Sequence, residues 1–542
     1  MNLGNFNRTL SAVLTLVFAS LLLIGLTGCS DLFRGTASCA STFRETRTDS
    51  GDLSFTNLVD GYTVTMDPSF QVDMSLNEVC ARFEAPSTRI EIYKNNFHPD
   101  RLRVAGEPPR SDETVHRDLV DYSNTFLEND TDHKNSSEET VTIGSRTVQV
   151  ASWERDRLKR VPHDHNHYLT MDFMDRDQAY TISIESEQPL LLEDYKSLVE
   201  SFTVTKPSRN AVAFQTEEPV VKERGWNPET EAFYRTYFLE SDRLTWGLFE
   251  PQVEEYLSHP DSFLEDRLNY SFPIILWYND LQDTSDPAYF KSVRTLLEDA
   301  YRCGKTVELT LQTTNTGENN SNAVYQVLNG ERDAFLHSYA KMIAEFDHPV
   351  LFRPVNEMNG DWCVYSAYHT GKDANLYQEF YRYLYRIFEQ EGADNVIWIW
   401  NPNKDSKPDM GWNHILNYYP GDEYVDVVGM TAYNTGTYYA QVGESWHTFS
   451  ELYDDLYRNY TAHFAQPLMI TEFSCANKGG NKVEWIQDMF RTIKEYPKIR
   501  VAVWWNYCDF DKDGTVARSY FLNESEEMLD AFREGLAEFP LP

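Results

Sequence analysis

No two of the seven cysteines stand at a Cys-x-x-Cys spacing, so the 542-residue chain has neither a zinc-ribbon nor a dithiol redox motif. Gly-x-Gly-x-x-Gly and Walker patterns are missing too, which removes the usual marks of a dinucleotide or nucleoside-phosphate site. Positive charge is scarce. Against 85 Asp and Glu there are 48 Lys and Arg, a formal net charge of −37, which excludes charge-driven binding to nucleic acid or to anionic headgroups. Between residues 56 and 205 Trp153 is the single tryptophan, so that stretch is poor in the flat aromatic surfaces sugar-binding modules use. Long apolar runs are confined to residues 10–26.

That run follows Arg8 and ends in Leu26-Thr27-Gly28-Cys29. A positive start, an apolar core and small residues before a break describe a secretory signal. Its ending resembles the bacterial lipoprotein signal, which implies removal of residues 1–28 and lipidation of Cys29. The protein is then expected outside the cytoplasmic membrane, lipid-anchored or secreted, with that anchor as its membrane contact. Residues 29–55, rich in Ser, Thr, Arg and Asp, read as a flexible tether. Cys39 and Cys80 could pair in an oxidising compartment.

Residues 56–205 alternate in the manner of strands at 62–66, 79–83, 89–93, 139–143, 147–153, 168–174 and 179–184, with hairpin turns between several of them and a helical spacing at 190–202. The reading is a smaller α+β accessory domain of unknown role. His163, His165 and His167 fall between two of these strands, where a polar loop is the ordinary explanation. Residues 206–225, with Pro207 and Pro219, form the expected linker.

From residue 226 to 542 the rhythm becomes short apolar runs separated by amphipathic helices, the βα signature of a parallel sheet. Eight such runs can be placed, at 244–249, 272–277, 306–311, 350–354, 396–400, 425–430, 468–471 and 500–505. Eight βα units predict a (β/α)8 TIM barrel, whose chemistry sits at the carboxyl ends of the strands. The fourth run breaks into Arg353, Asn356, Glu357, Asn359, Asp361 and Trp362; the seventh ends on Glu472; the sixth is followed by Tyr433, and the eighth carries Trp504, Trp505 and Asn506. Two carboxylates at one end of a barrel are the pair a glycosidase needs, one protonated for the leaving oxygen and one ionised to attack the anomeric carbon or activate water. The surrounding tryptophans offer rings on which pyranose faces can stack. Asp509, Asp511 and Asp513 imitate the start of a calcium loop, but Tyr520 stands where a bidentate Glu is needed. No metal and no cofactor is expected.

The run from Arg353 to Trp362, with Ile470-Thr471-Glu472-Phe473 and Val503-Trp504-Trp505-Asn506, resembles glycoside hydrolase family 26 over residues 226–542. The resemblance implies a retaining, endo-acting hydrolase of a β-linked polysaccharide, usually β-1,4-mannan, with Glu357 as acid/base and Glu472 as nucleophile. Tyr433 then matches the tyrosine that hydrogen-bonds the nucleophile, and Trp362 a sugar-contact position. Arg353, Asn356, Trp504 and Trp505 complete the expected substrate-binding set, with Trp362 and one of Trp504 or Trp505 lining the cleft. Family mannanases commonly carry His before the acid/base, where this chain has Asn356, so mixed-linkage β-glucan or β-xylan stand beside mannan. A glycan-binding lipoprotein with an inactive barrel, or a transglycosylase, are the other readings. The partner expected is the polysaccharide alone, bound by a monomer.

Overall fold

The computed structural model describes residues 42–97, 110–208, 224–240, 243–259, 264–282, 285–313 and 321–540. The signal segment, Cys29, Cys39 and the expected linker between 209 and 223 lie outside the described residues. Among the described residues no helix is long and apolar enough to cross a membrane.

Among the described residues eleven strands precede the barrel: β1 (Phe43–Arg47), β2 (Leu53–Asn57), β3 (Tyr62–Met66), β4 (Gln71–Asp73), β5 (Cys80–Ala85), β6 (Thr88–Asn95), β7 (Lys134–Ile143), β8 (Arg146–Glu154), β9 (His167–Asp175), β10 (Gln178–Ser186) and β11 (Thr203–Val204). They make two antiparallel sheets, ordered β1-β2-β3-β11 and β4-β5-β6-β10-β9-β8-β7. The expected tether is therefore corrected over 43–55. Leu53 and Phe55 alternate inward and pack in the core of this module, and the exposed, charged β1 is simply an edge strand beside β2.

The middle strands of the seven-stranded sheet, β6, β10 and β9, are buried on both faces. One face sends Ala81, Phe83, Ile90, Ile92, Ile182 and Ile184 into an apolar core closed by the helix Leu192–Ser201. The alternate positions are polar yet also buried, among them Glu91, Thr170, Asp172, Thr181 and Glu185. That face meets the loops of the barrel. Tyr168 Oη donates to Asp373 Oδ2 at 2.8 Å, Asp132 Oδ2 accepts the Asn322 amide at 2.6 Å, and Asn95 Oδ1 accepts the Gly411 amide at 2.9 Å. Val79, Cys80, Tyr93, Val120 and Leu158 of the sheet module join one hydrophobic cluster with the barrel helices. Buried polar pairs and a shared apolar seam hold the two parts together. Cys80 is a buried thiol in that seam.

The barrel strands are β12 (Thr245–Phe249), β13 (Ile274–Asp280), β14 (Thr306–Gln312), β15 (Val350–Pro354), β16 (Val396–Trp400), β17 (Val427–Thr431), β18 (Leu468–Phe473) and β19 (Ile499–Trp505), all parallel and closed β12 to β19. This is the (β/α)8 barrel read from the sequence. Period-two alternation divides each strand. Ile274, Leu276, Leu351, Ile397, Ile399, Val427, Met469, Val501 and Val503 fill the interior, which Tyr234 and Phe238, at the end of the chain entering the first strand, also pack. Ile275, Val307, Phe352, Trp398, Trp400, Ile470 and Trp504 face the helices.

Candidate active site

Strand β15 delivers Arg353 into the barrel and then turns sharply. Val355 and Glu357 both take left-handed backbone conformations, with φ of 46° and 54°. Such angles are rare for non-glycine residues and exceptional for a β-branched one, and where they persist the surroundings must fix them. Here the Val355 amide donates to Leu311 O at 2.8 Å and the Glu357 amide to Asn401 O at 2.7 Å, tying the turn to both neighbouring strands. The turn aims Glu357 into a cavity of about 860 Å³ at the carboxyl ends of the strands.

Glu357 receives two hydrogen bonds. Trp362 Nε1 donates to Oε2 at 3.1 Å, and Asn403 Nδ2 donates to Oε1. These favour the ionised form, but burial and the nearby Glu472 charge outweigh them and push the carboxyl up to about 7. The ring of Trp362 folds over Gly360 so closely that a Cβ there would lie 2.4 Å from its six-membered ring. We expect Gly360→Ala to swing the indole away from Glu357. Loss of that hydrogen bond would raise the Glu357 pKa further and shift the alkaline limb of any activity profile upward, a change read from a pH–rate series.

Glu472 reaches the same cavity by a different device. On strict alternation from Met469, position 472 would face the helices. A register irregularity between Ile470 and Phe473 turns Glu472 inward and Phe473 outward against Trp485 and Trp504. Bulges commonly re-aim a side chain beside a functional site. Glu472 Oε2 accepts from Tyr278 Oη and, at 3.1 Å, from Arg353 Nη2.

Arg353 is fully buried and spends its donors inside the barrel. Nε donates to Thr310 Oγ1 at 3.0 Å, Nη1 to Asn401 Oδ1 at 3.0 Å and Nη2 to Tyr278 Oη at 2.8 Å. Nε also lies 3.1 Å from Glu308 Oε1. Burial pushes the Glu308 carboxyl up to about 8, so near neutral pH it is largely protonated and the guanidinium charge serves Glu472.

The structure separates the expected site residues. Glu357, Trp362, Tyr433, Glu472 and Trp505 line the cavity. Arg353 does not: it lies beneath the cavity floor as the partner of Glu472. Asn356 is corrected as a substrate contact. It is 3% exposed, its backbone carbonyl accepts from Tyr365 Oη at 2.6 Å, and its side chain faces the same phenol. Trp504 is corrected as well, because alternation along β19 places it opposite Trp505, buried against Phe473 and Phe532. Trp505 stacks on Phe249 with centroids 3.9 Å apart and presents its edge to Tyr433. The phenol bonded to Glu472 belongs to Tyr278, not Tyr433.

Tyr278 was missed as a site residue, and Asn403, a polar residue at the carboxyl end of the fifth strand, had no role assigned to it. Both stand where an apolar strand gives way to polar residues, the same signal that marked Glu357. Beyond the calcium-like spacing, Asp509 pairs with Arg518, Asp511 accepts from Tyr438 and Tyr439, and Asp513 caps Thr515, so all three carboxylates are engaged by the protein. Their hairpin, β20 (Cys508–Phe510) with β21 (Val516–Ser519), brings Phe510 to the cavity wall. His163 and His167 lie beside Glu187 and Glu154, and His165 beside Glu185.

A parallel eight-stranded barrel with two carboxylates meeting at the carboxyl ends of its strands, among aromatic rings, is the architecture of many hydrolases of sugars. Residues 302–476, which hold both glutamates, match the model of glycosyl hydrolase family 26. Endoglucanase H of Acetivibrio thermocellus is 32% identical over 213 residues, covering 39% of this chain and 22% of that protein. A mannan endo-1,4-β-mannosidase of Bacillus subtilis is 40% identical over 96 residues, covering 16% of this chain and 24% of that protein. The chain thus spans less than a quarter of the length of either curated relative. The solved structure of a GH26 β-mannanase from Bacteroides ovatus is 16% identical and covers 57% of this chain and 93% of its own, at a TM-score of 0.41.

Proposed function

We propose that the protein is a retaining, endo-acting glycoside hydrolase that cleaves a β-linked polysaccharide, with β-1,4-mannan as substrate. The observation that carries this is the contrast between two carboxyls in one cavity. Glu357 is raised to about 7 by burial and by Glu472, while Glu472 is held by a guanidinium and a phenol. A buried carboxyl that keeps its proton, beside one bonded to a guanidinium, fits an acid and a nucleophile.

In the first step Glu357 gives its proton to the glycosidic oxygen as that bond breaks, and a Glu472 oxygen bonds the anomeric carbon. Once Glu472 is esterified its charge is gone, the chief electrostatic pressure on Glu357 is relieved, and its carboxylate is stabilised by Trp362 and Asn403. It can then take a proton from water, whose oxygen displaces Glu472 and restores both groups. Trp362 and Trp505 supply stacking faces for the sugars.

A mixed-linkage β-glucan is the second reading, favoured by the match to Endoglucanase H, which runs over 213 residues against 96 for the Bacillus subtilis mannosidase. Chromatography of products from mannan, mixed-linkage glucan and xylan decides. Internal cleavage of mannan is the expected result; cleavage of glucan alone would move the assignment, and intact polymer throughout would end it. The wider organisation belongs to the same proposal: a signal segment of 1–28, lipid on Cys29, and an accessory module ahead of a monomeric catalytic barrel. Mass spectrometry of the amino-terminal peptide should find acyl chains on Cys29; an unmodified thiol there would refute the anchor.

A further inference from the structure

The sheet module touches the barrel at the lip of the cavity. Its helix Asp112–Ser123 buries Val115, His116, Val120 and Ser123 and leaves Tyr122, near its carboxyl end, 40% exposed. That ring is held at two points. Its hydroxyl donates to Asp361, the residue before Trp362, and its ring packs against that of Tyr368, tilted by 37° with centroids 5.2 Å apart. Tyr368 is in turn fixed by Thr125 at 2.6 Å, and the Asp361 carbonyl by His369 Nε2 at 2.6 Å. Trp362 is 45% exposed, and beyond it Lys407 Nζ stands 5.9 Å over its ring.

A large aromatic side chain that is exposed yet fixed in place loses little entropy on binding a flat apolar face. From Glu357 outward the order is carboxyl, Trp362, Asp361 and then Tyr122, each linked to the next by a hydrogen bond or by the chain itself. We propose that Tyr122 extends the substrate cleft past Trp362, so that the amino-terminal module contributes a stacking site for a sugar unit of the β-glycan chain remote from the bond being cleaved. Trp362, Lys404, Asp405 and Lys407 line the cavity around the two glutamates, whereas Asp361 and Tyr122 stand outside its lining. A short oligosaccharide would therefore not reach Tyr122, and a long one would.

This rests on the glycan-cleaving reading, and the experiment separates the two. Full-length wild type, Tyr122→Ala and Tyr122→Phe are compared on β-oligosaccharides of increasing length drawn from the polymer that wild type cleaves. Tyr122→Ala is expected to lose about tenfold in kcat/KM on the longest chains, the scale of one aromatic stacking contact, and nothing on the shortest that is cleaved. Tyr122→Phe keeps the ring and should stay within about twofold at every length. A Tyr122→Ala profile that matches wild type at all lengths overturns the proposal, and so does an equal loss at all lengths, which would mark a purely structural role through Asp361. Wild type that cleaves no chain in the panel defeats the glycosidase reading itself.

Discussion

In a Glu472→Gln variant, glycan cleavage is expected to fall on the order of 10³-fold or more while the fold persists. Glutamine has the same shape, and its amide oxygen can still accept from Arg353 or Tyr278. What disappears is the charge that, on the proposed mechanism, attacks the anomeric carbon. The variant has a second readout. Glu472 is the chief charged group holding the Glu357 carboxyl up at about 7, so Glu357 should titrate at lower pH in the variant, as followed by carboxyl NMR. On the proposed mechanism Glu357 acts as an acid only when protonated. Activity should therefore fall as pH rises through about 7, with one proton lost. Glu472→Gln activity within tenfold of the parent would remove Glu472 from the mechanism, and an unmoved Glu357 titration would break the electrostatic link between the two.

Arg353→Met is expected to be the most damaging change to stability in the barrel, at about 3–5 kcal/mol, because it strips the partner from a buried ion pair. The guanidinium makes hydrogen bonds to Thr310, Asn401, Tyr278 and Glu472 and sits beside Glu308. Methionine fills part of the volume and satisfies none of them. Glu308, already raised to about 8, can remain protonated. Glu472 would lose the guanidinium that holds it, so activity should fall together with stability. Adding Glu308→Gln should restore neither the melting temperature nor the activity, since that carboxyl is already neutral and the group left without its partner is Glu472. A single variant that melts with the parent would show that the arginine is dispensable.

Much of the barrel was legible because both faces of its strands are apolar. Strands four and five were placed at the bounds observed, Val350–Pro354 and Val396–Trp400. Strand six begins two residues later than expected, at Val427, because Asp426 is occupied by Arg224 and by the Trp398 amide. The glutamates were visible as carboxylates at strand ends, but the inward turn of Glu472 depends on a bulge that no period-two count reveals. The same count, applied to the last strand, would have parted Trp504 from Trp505. The sheet module was harder. Glu91, Asp172 and Glu185 alternate with apolar residues and look like a solvent face, yet they lie buried against the barrel loops. A polar face that is paired with a partner cannot be told from a wet one by sequence alone.

The central claim, that Glu472 forms a bond to sugar with Glu357 as its acid/base, is tested most directly by trapping. The full-length protein is incubated with an activated fluorosugar glycoside whose departure from a glycosyl-enzyme is slow, digested, and mapped by mass spectrometry. The account predicts a single sugar adduct, located on Glu472 in the peptide that follows Met469. An adduct on another residue, or an enzyme that turns over polysaccharide yet never carries one, would contradict it.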